Sequence, residues 1–240
     1  LGMGRNAADA AALQLATTAL AQGQAEPALH PLPLAGGGEM RAFMELHHPQ
    51  PEMVIVGAGH VAQPLCALGS LLGLTVRVLD DRPEFATLER FPEASELRRV
   101  DFSDAFAGIR LHPWSHVVLV TRGHRFDFEC LRQVLMRTPL PGYLGMIGSR
   151  RRVKATFQAL LEEGIPRESL RRVHAPIGLD IRGETPAEIA VAVAAEIVRH
   201  WRGGSGRSLS EIEEVLDRLL PEADGKAHGP GRDTGGTETT

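Results

Sequence analysis

A glycine-rich turn stands where a short apolar strand is predicted to run into a helix. The turn reads Gly57-Ala58-Gly59-His60-Val61-Ala62 and follows the apolar run Met53–Val56. In a dinucleotide-binding fingerprint the first glycine permits the tight turn, the second lets a pyrophosphate approach the backbone, and a small third residue allows close helix packing. We therefore predict that Gly57, Gly59 and His60 contact the phosphate of a nucleotide or cofactor. The alternative is a turn of this shape that has lost its ligand.

A carboxylate follows the next predicted strand, Thr75–Leu79. Asp80 stands roughly 20 residues after Gly57, where the fingerprint places a side chain that accepts ribose hydroxyls. We predict this role for Asp80, and the alternative for Asp81-Arg82-Pro83 is a charged turn. Because a carboxylate repels a 2′-phosphate, an unphosphorylated ribose such as that of NAD is favoured over NADP, although Arg82 would partly offset the repulsion.

A third predicted strand, His116–Val120, also runs into polar and basic residues. Arg122 and His124 follow it directly. In an open parallel sheet the ligand lies beyond the carboxyl ends of the strands, so both side chains are predicted to meet an anionic group. For His124 three other interpretations stay open: a metal ligand, a proton-transfer group, or a loop histidine that caps local backbone.

A fourth predicted strand, Tyr143–Ile147, ends in a second glycine turn that opens a helix. Gly148 is followed by Ser149, the predicted N-cap, and by Arg150. A phosphate near this helix start could use both the backbone N–H groups and the guanidinium, so we predict that these three residues bind it. For the basic residues that follow, a solvated helix face is the favoured interpretation: Arg151, Arg152 and Lys154.

The segment His174–Ile181 is irregular and apolar, and it contains Gly178. A glycine can adopt a positive φ without steric cost. We predict that Gly178 helps to close one wall of the binding pocket; the alternative is a packed connector.

Short apolar runs alternate with longer helical patterns through the middle of the chain. Continuously apolar strands separated by helices are typical of the α/β class, here a Rossmann-like parallel sheet with helices on both faces. The helices are predicted at His60–Leu72, Phe126–Arg137, Ser149–Glu163 and Thr185–His200. The start of the last one is well marked, because Thr185 and Glu188 form a capping box around a first-turn proline.

Composition and charge exclude several classes of protein. The 240 residues are 43% hydrophobic and 23% charged, which is typical of a globular chain rather than a disordered or fibrous one. With 26 Lys+Arg against 30 Asp+Glu the formal charge is -4, so no global basic field attracts nucleic acid or an anionic membrane. Cys66 and Cys130 lie in apolar helical patterns, which predicts no disulfide framework and no metal site. Without a secretion signal or a membrane-length apolar run, we expect a cytoplasmic protein.

No complete catalytic set is present in the sequence. The single tyrosine, Tyr143, is followed four places later by Ile147 and not by the lysine of a short-chain dehydrogenase. There is no Gly-x-Ser-x-Gly elbow, His-Glu-x-x-His helix or Walker loop. We therefore expect a binding protein rather than an enzyme. The alternatives are a NAD-dependent oxidoreductase that uses His124 as acid or base, and a module that senses NAD.

Four blocks of sequence, in this order, resemble the XdhC/CoxI family of xanthine dehydrogenase accessory proteins. The blocks are Val54–Ala62, Val76–Ala86, Tyr143–Arg152 and His174–Ile197, within a similarity that spans roughly Glu39 to His200. The resemblance implies a chaperone that binds a molybdenum cofactor of the molybdopterin type. It also implies that a cysteine desulfurase installs the terminal sulfur and that the cofactor passes to xanthine dehydrogenase or a related molybdenum hydroxylase. NAD remains the alternative ligand, and a homodimer through exposed helices is a further expectation.

The chain departs from the family pattern in three places. It lacks the family's Gly-Ser-Thr-Pro-Arg-like and Gly-Gly-Gly-Cys-like stretches, it has Gly36-Gly37-Gly38 where Cys-Gly-Gly is common, and it has Arg182 where glycine is usual. The missing thiolate removes a ligand for molybdenum. Because the chain starts with Leu1, we expect an alternative start codon or a truncated N-terminal region.

The resemblance divides the chain into three parts. Residues 1–50 are interpreted as the remnant of an N-terminal domain and a connector, residues 51–203 as the Rossmann-like domain, and residues 204–240 as a short helix with a disordered tail. The predicted elements outside the Rossmann-like domain are a helix at Asn6–Gln22, a Pro- and Gly-rich connector at Ala25–Gly38, an edge strand at Glu39–Leu46 and a helix at Ser210–Leu220.

Overall fold

A computed structural model of the chain describes residues 6–22, 28–33, 39–45 and 50–213. Its N-terminal elements are helix α1 (Asn6–Gln22) and an antiparallel pair of strands, β1 (Ala28–Pro33) and β2 (Glu39–Met44). The sequence predicts α1 and β2, but it does not predict β1, which lies in the supposed connector. Prolines at 31 and 33 argue against a central strand, and β1 tolerates them because among the described residues it pairs with β2 alone.

The main sheet has five parallel strands in the order β5-β4-β3-β6-β7. This arrangement confirms the predicted α/β, Rossmann-like class. The strands are β3 (Glu52–Val56), β4 (Thr75–Asp80), β5 (Glu96–Arg99), β6 (Ser115–Leu119) and β7 (Tyr143–Met146). Central β3 pairs with β4 on one side and with β6 on the other, so the strand order reverses between β3 and β6.

Strand β5 carries no apolar run and is absent from the sequence prediction. Its residues, Glu-Leu-Arg-Arg, form the outer edge of the sheet beside β4. Glu96 there pairs with Arg77 of β4 at 3.1 Å and with Arg98 at 2.6 Å. Edge strands expose their side chains to water, so the polar composition that hides β5 from pattern analysis suits its position.

The helices of the Rossmann-like part agree with the predicted ones to within about two residues at each end. They are α2 (Ala62–Leu71), α3 (His124–Leu135), α4 (Arg150–Glu162), the unpredicted short α5 (Arg167–Leu170), α6 (Pro186–Arg202) and α7 (Leu209–Glu213). The predicted capping box of Thr185 and Glu188 is confirmed. Helix α7 is described only to Glu213, so the predicted continuation to Leu220 and the predicted tail lie outside the described residues.

Apolar side chains cover both faces of the sheet. On one face the strands pack against α3 and α4 around Leu131, Leu160 and Met146. On the other face they pack against α2 and α6 around Leu65, Val193 and Ile197. Burial on two faces explains why the inner strands are continuously apolar. None of the helices in the described ranges is long and apolar enough to cross a membrane.

Candidate functional site

Four loops meet at the carboxyl ends of the parallel strands, around the point where the strand order reverses between β3 and β6. We call this edge the crevice: it consists of residues 57–61, 81–90, 120–125 and 147–151. Ligands of open α/β sheets bind at such reversal points. Nine of the ten predicted site residues lie in or directly beside these loops: Gly57, Gly59, His60, Asp80, Arg122, His124, Gly148, Ser149 and Arg150. Whether they bind a ligand stays a prediction.

The two glycines of the first turn have different structural tasks. Gly57 has φ of 106°, and a Cβ there would lie 2.6 Å from the carbonyl oxygen of Val120. This residue must therefore be glycine for the β3 loop to pass against the β6 loop. Around Gly59 nothing lies within 4 Å of an ideal Cβ. The open space above Gly59 is consistent with the close approach of a ligand.

Asp80 is fully buried, and its carboxylate is bonded within the chain. One oxygen accepts the N–H of Ala58 at 2.6 Å, and the carboxylate also accepts from the Arg82 backbone and, bidentately, from its guanidinium at 2.9 and 3.0 Å. Asp80 thereby ties the glycine turn to the end of β4. The ribose role stays a prediction, but in this structure both oxygens are occupied.

The loop after β4 folds back onto the glycine turn. The Arg90 guanidinium donates to the carbonyl of Ala58 at 3.2 Å. The guanidinium groups of Arg82 and Arg90 lie 3.6 and 4.8 Å from the centre of the Phe85 ring. Cation–π contacts of this kind hold the loop in one arrangement. The loop that begins at Asp81 therefore packs against the Gly57–Val61 turn and supports it.

Arg122 joins two loops of the crevice. Its guanidinium makes a bidentate ion pair with Asp81 at 2.5 and 2.7 Å and lies 4.4 Å from the centre of the Phe126 ring. The pair lowers the pKa of Asp81, chiefly through the hydrogen bond from Arg122. Arg122 is predicted to meet an anion; in this structure its charge is already balanced by Asp81.

The position of Arg152 shows that one interpretation drawn from the sequence, a solvated basic helix face, is wrong for this residue. Instead of belonging to a solvated face, it is half-buried, pairs with Asp127 and donates to the carbonyl of Thr121 at 3.1 Å. Asp127 is fully buried and also accepts from the Thr121 hydroxyl at 2.6 Å. Burial raises the pKa of Asp127, while the bonds from Thr121 and Arg152 favour its charged form. The cluster fixes the start of α4 against the β6 loop.

Exposed charged groups of both signs lie at the crevice. The basic ones, His60, His124, Arg125, Arg150 and Arg151, lie on the glycine turn and at the starts of α3 and α4, and the acidic ones, Glu84 and Glu89, lie on the loop after β4. Helices α3 and α4 begin here, at His124 and Arg150, so their positive dipole ends face the same edge. The predicted N-cap is confirmed, since the hydroxyl of Ser149 accepts the Arg152 N–H at 3.2 Å. An anion at this edge would meet unpaired N–H groups and cationic side chains together.

Gly178 lies beyond β7 and is bonded to α6. It has φ of 105°, and its N–H donates to Glu196 at 2.6 Å. Glu196 also accepts from the Tyr143 hydroxyl at 3.0 Å and bonds the His174 ring at 3.1 Å. Although burial alone raises the pKa of Glu196, these bonds hold it below its usual value. The contacts favour the packed-connector alternative for this segment, and the ligand role of Gly178 remains a prediction.

The sequence interpretation missed three organising groups: Asp127 and Arg90 at the crevice, and Glu196, which bonds the His174–Gly178 segment beyond β7. Asp127 had a weak signal, because an acidic residue in the first turn of a helix is favourable. Arg90 and Glu196 had none, since their partners are distant in sequence. The two thiols are not part of the crevice, because Cys66 and Cys130 are buried in the core and burial raises their pKa values to about 11 and about 12.

Comparison with known proteins agrees with this geometry. Residues 53–197 match the model of the XdhC Rossmann domain. The chain belongs to the XdhC family. The resemblance of the four sequence blocks is thereby confirmed, and the matched range contains the whole crevice.

Relatives of this XdhC family member match its Rossmann-like part. The chain is 35% identical over 164 residues to the uncharacterized protein YqeB of Escherichia coli (strain K12), covering 68% of this chain and 30% of that protein. It is 29% identical over 157 residues to a probable xanthine dehydrogenase subunit of Bacillus subtilis (strain 168), covering 65% of this chain and 45% of that one. It therefore spans less than half the length of these relatives.

A crystal structure described as a xanthine dehydrogenase from Bacillus halodurans has a similar fold. The TM-score is 0.58 at 26% sequence identity, and the match covers 68% of this chain and 46% of that one.

Proposed function

We propose that this XdhC family member is a cytoplasmic accessory protein of a molybdenum hydroxylase of the xanthine dehydrogenase type. In this proposal the crevice binds the phosphate of a molybdopterin-type cofactor. The observation that carries it is the combination of an open glycine turn at Gly59 with two helix starts and exposed basic side chains at one edge. The names of the Bacillus relatives support the proposed partner.

The residues of the crevice fit a phosphate better than they fit a ribose. Space is open above Gly59, and the N–H groups at the starts of α3 and α4 lie at the same edge. The side chain that would accept ribose hydroxyls, Asp80, is buried and bonded at both oxygens. A pterin phosphate needs the first set of groups and not the second.

Each loop has a separate task in this proposal. The Gly57–Val61 turn and the Ser149–Arg150 helix start hold the phosphate, and His60 and His124 lie where they can contact the rest of the cofactor. The molybdenum carried by the bound cofactor is what the client enzyme uses for catalysis. Sulfuration by a cysteine desulfurase and insertion into the client would then take place while this chain holds the cofactor. The chain itself needs no catalytic group for these tasks.

NAD is the second candidate ligand, because the strand order and the Gly-x-Gly-x-x-Ala turn are those of a dinucleotide site. Binding of NAD would require Asp80 to exchange a bond with Arg82 or Ala58 for a ribose hydroxyl. Steady nicotinamide turnover would favour an oxidoreductase, and NAD binding without turnover would favour a sensing module.

The test is anaerobic purification from cofactor-replete cells. Molybdenum and the fluorescence of the oxidised pterin are then measured across the gel-filtration peak. We expect both to co-elute with the protein in near-stoichiometric amounts. A folded protein that carries no pterin and cannot be loaded in vitro, but that binds NAD, would contradict the proposal.

The variant Gly59→Val tests whether the glycine turn binds the cofactor. The valine side chain would fill the space that the phosphate requires, while the protein around it leaves room, so we expect lost pterin with unchanged thermal unfolding. Gly204→Val is the matched control, because this exposed glycine follows α6 and its nearest contact to an added Cβ is an ordinary 3.9 Å. Equal pterin content in Gly59→Val and wild-type protein would show that the turn is not part of the binding site.

A further inference from the structure

The two tryptophans of the chain, Trp114 and Trp201, line one cavity of about 250 Å³ at the amino ends of the parallel strands. We call it the tryptophan cavity. Its other lining residues are two prolines, two histidines and a glycine: Pro51, Pro113, His116, His200 and Gly142. They lie at the starts of β3, β6 and β7 and at the end of α6. The crevice lies at the opposite edge of the sheet, roughly 16 Å away along a strand, so the two places are separate.

Residues that do not line the cavity hold the two indole rings in place. The Trp114 ring stacks on the imidazole of His112, with the ring centres 4.6 Å apart and an angle of 3° between the planes. The guanidinium of Arg202 lies 4.3 Å from the centre of the Trp201 ring. The loops that carry Trp114 and Gly142 pack closely, because a Cβ at Gly142 would collide with the carbonyl oxygen of Pro113. The walls of the cavity are therefore preformed, and each indole is 38% exposed.

The lining favours a flat and uncharged ligand. Exposed indole rings stack on planar π systems. None of the described residues that line the cavity carries a permanent charge, so a phosphate would find no counter-ion there. A ligand cation is disfavoured as well, because the Trp201 ring already meets the guanidinium of Arg202. The volume lies below the roughly 300–1,000 Å³ of pockets for drug-sized ligands, which suits a fused ring system rather than a nucleotide.

The two histidines add hydrogen-bond acceptors to the walls. Nδ1 of His116 lies 3.0 Å from the carbonyl oxygen of Glu52. Nε2 of His200 lies 3.0 Å from the carbonyl oxygen of Gly142. Because a carbonyl oxygen only accepts, these nitrogens carry the hydrogen, and the other nitrogen of each neutral imidazole is an acceptor.

Neutral imidazoles that accept N–H groups fit this cavity better than metal ligands do. Burial lowers the pKa of His116, so its ring is neutral at neutral pH. Within the described ranges, the two histidines belong to no cluster of three or more side chains that could hold a metal ion. The cavity therefore combines stacking surfaces with acceptors for a ligand that carries N–H groups on its edge.

We propose that the tryptophan cavity binds the free base of a fused N-heterocycle, of which an oxopurine is the simplest case. The ring stacks on Trp114 and Trp201. N–H groups on its edge donate to the acceptor nitrogens of His116 and His200. Purines and pterins both have this chemistry. The site is separate from the crevice, so its ligand binds whether or not a cofactor occupies the crevice.

Titration of the full chain with hypoxanthine, followed by tryptophan fluorescence and by isothermal titration calorimetry, tests the proposal. Because both tryptophans line the cavity, stacking changes their emission, and we expect one site per chain with a Kd below about 1 mM. Caffeine keeps the purine ring system but has no N–H group, so its Kd should be at least about tenfold higher. Pterin is titrated in the same way, and the lower of the two Kd values, for hypoxanthine or for pterin, identifies the class of base that the cavity takes.

Two alanine variants each remove one wall and keep the other tryptophan as the reporter. Trp114→Ala and Trp201→Ala should each raise the Kd for hypoxanthine at least about tenfold. Trp114→Phe keeps an aromatic ring and should raise it less than Trp114→Ala does. Leu71→Ala is the control, because it removes an apolar side chain of α2 that is 82% exposed and does not line the cavity, so the Kd should not change.

Circular dichroism and thermal unfolding confirm that each variant is folded. Saturable binding of neither hypoxanthine nor pterin to the wild-type chain would overturn the proposal. A Kd that is unchanged in both alanine variants, or caffeine that binds as tightly as hypoxanthine, would overturn it as well.

Discussion

Replacement of Asp80 by asparagine separates two explanations for this carboxylate. If Asp80 holds the glycine turn, Asp80→Asn should destabilise the protein in the absence of any ligand. If its main task is to accept ribose hydroxyls, the variant should unfold like the wild type and differ only in affinity for NAD. The buried side chain and its bonds to Ala58 and Arg82 favour the first outcome.

The expected decrease in the free energy of unfolding follows from the hydrogen bonds at Asp80. The carboxylate accepts one backbone N–H from Ala58 and three donors from Arg82. Hydrogen bonds to charged groups contribute about 1.5–3 kcal/mol each when fully counted. Asparagine keeps one acceptor oxygen, and Arg82 is a quarter exposed, so solvent screens part of the ion pair. We expect a loss of about 2 kcal/mol, which lowers Tm by about 4–8 °C for a chain of this size.

Urea unfolding of the ligand-free protein, followed by circular dichroism, measures this loss. Asp81→Asn is the matched control. Its carboxylate is partly exposed and pairs with the exposed Arg122, so its removal should cost no more than about 1 kcal/mol. A loss below about 0.5 kcal/mol for Asp80→Asn, or an equal loss for both variants, would refute the assignment of Asp80 to the turn.

Three further predictions concern single side chains. Gly57→Ala should lower the free energy of unfolding in urea by more than about 3 kcal/mol, because the added Cβ would lie 2.6 Å from the Val120 carbonyl oxygen and φ is 106°. A decrease under about 1 kcal/mol would show that the two loops can move apart. Arg182→Gly should stabilise the protein by about 0.5–1 kcal/mol, because Arg182 has φ of 56°, and an unchanged or lower Tm would contradict this. Burial lowers the pKa of His116, so as the pH falls this histidine is protonated in the unfolded chain before it is protonated in the folded one. The stability present at neutral pH is therefore lost as the pH falls from about 6.5 to the lower folded-state pKa. His116→Gln should lose less stability between pH 7.5 and pH 5.5 than the wild type does, and equal losses in the two proteins would argue against this source.

The position of Arg182 shows how sequence and structure complement each other. The family pattern places a glycine there, and the structure shows a left-handed backbone that favours one. The family pattern alone shows that arginine replaces glycine at position 182, and the positive φ explains why this replacement destabilises the protein. By contrast, β5 and β1 escape prediction because a polar edge strand and a proline-containing strand both lack the alternating or continuous apolar pattern.

The sequence by itself determines the inner strands, the helices between them and the edge at which the glycine turns lie. These features depend on local pattern: apolar runs, capping residues and glycine spacing. Because the carboxyl ends of parallel strands share one edge, the topology alone places nine of the ten predicted site residues there.

Only the tertiary structure decides which of those residues are free to meet a ligand. Asp80 bonds Ala58 and Arg82, Arg122 bonds Asp81, and Arg152 bonds Asp127. Most of these partners are far apart in the chain, and their pairing depends on how closely the loops pack. Burial makes the pairings of Asp80 and Asp127 obligatory, since an unpaired buried charge would cost several kcal/mol, whereas the pair of Arg122 and Asp81 is partly exposed. What remains exposed beside the open glycine includes the basic side chains at the starts of α3 and α4, and these side chains define the proposed site.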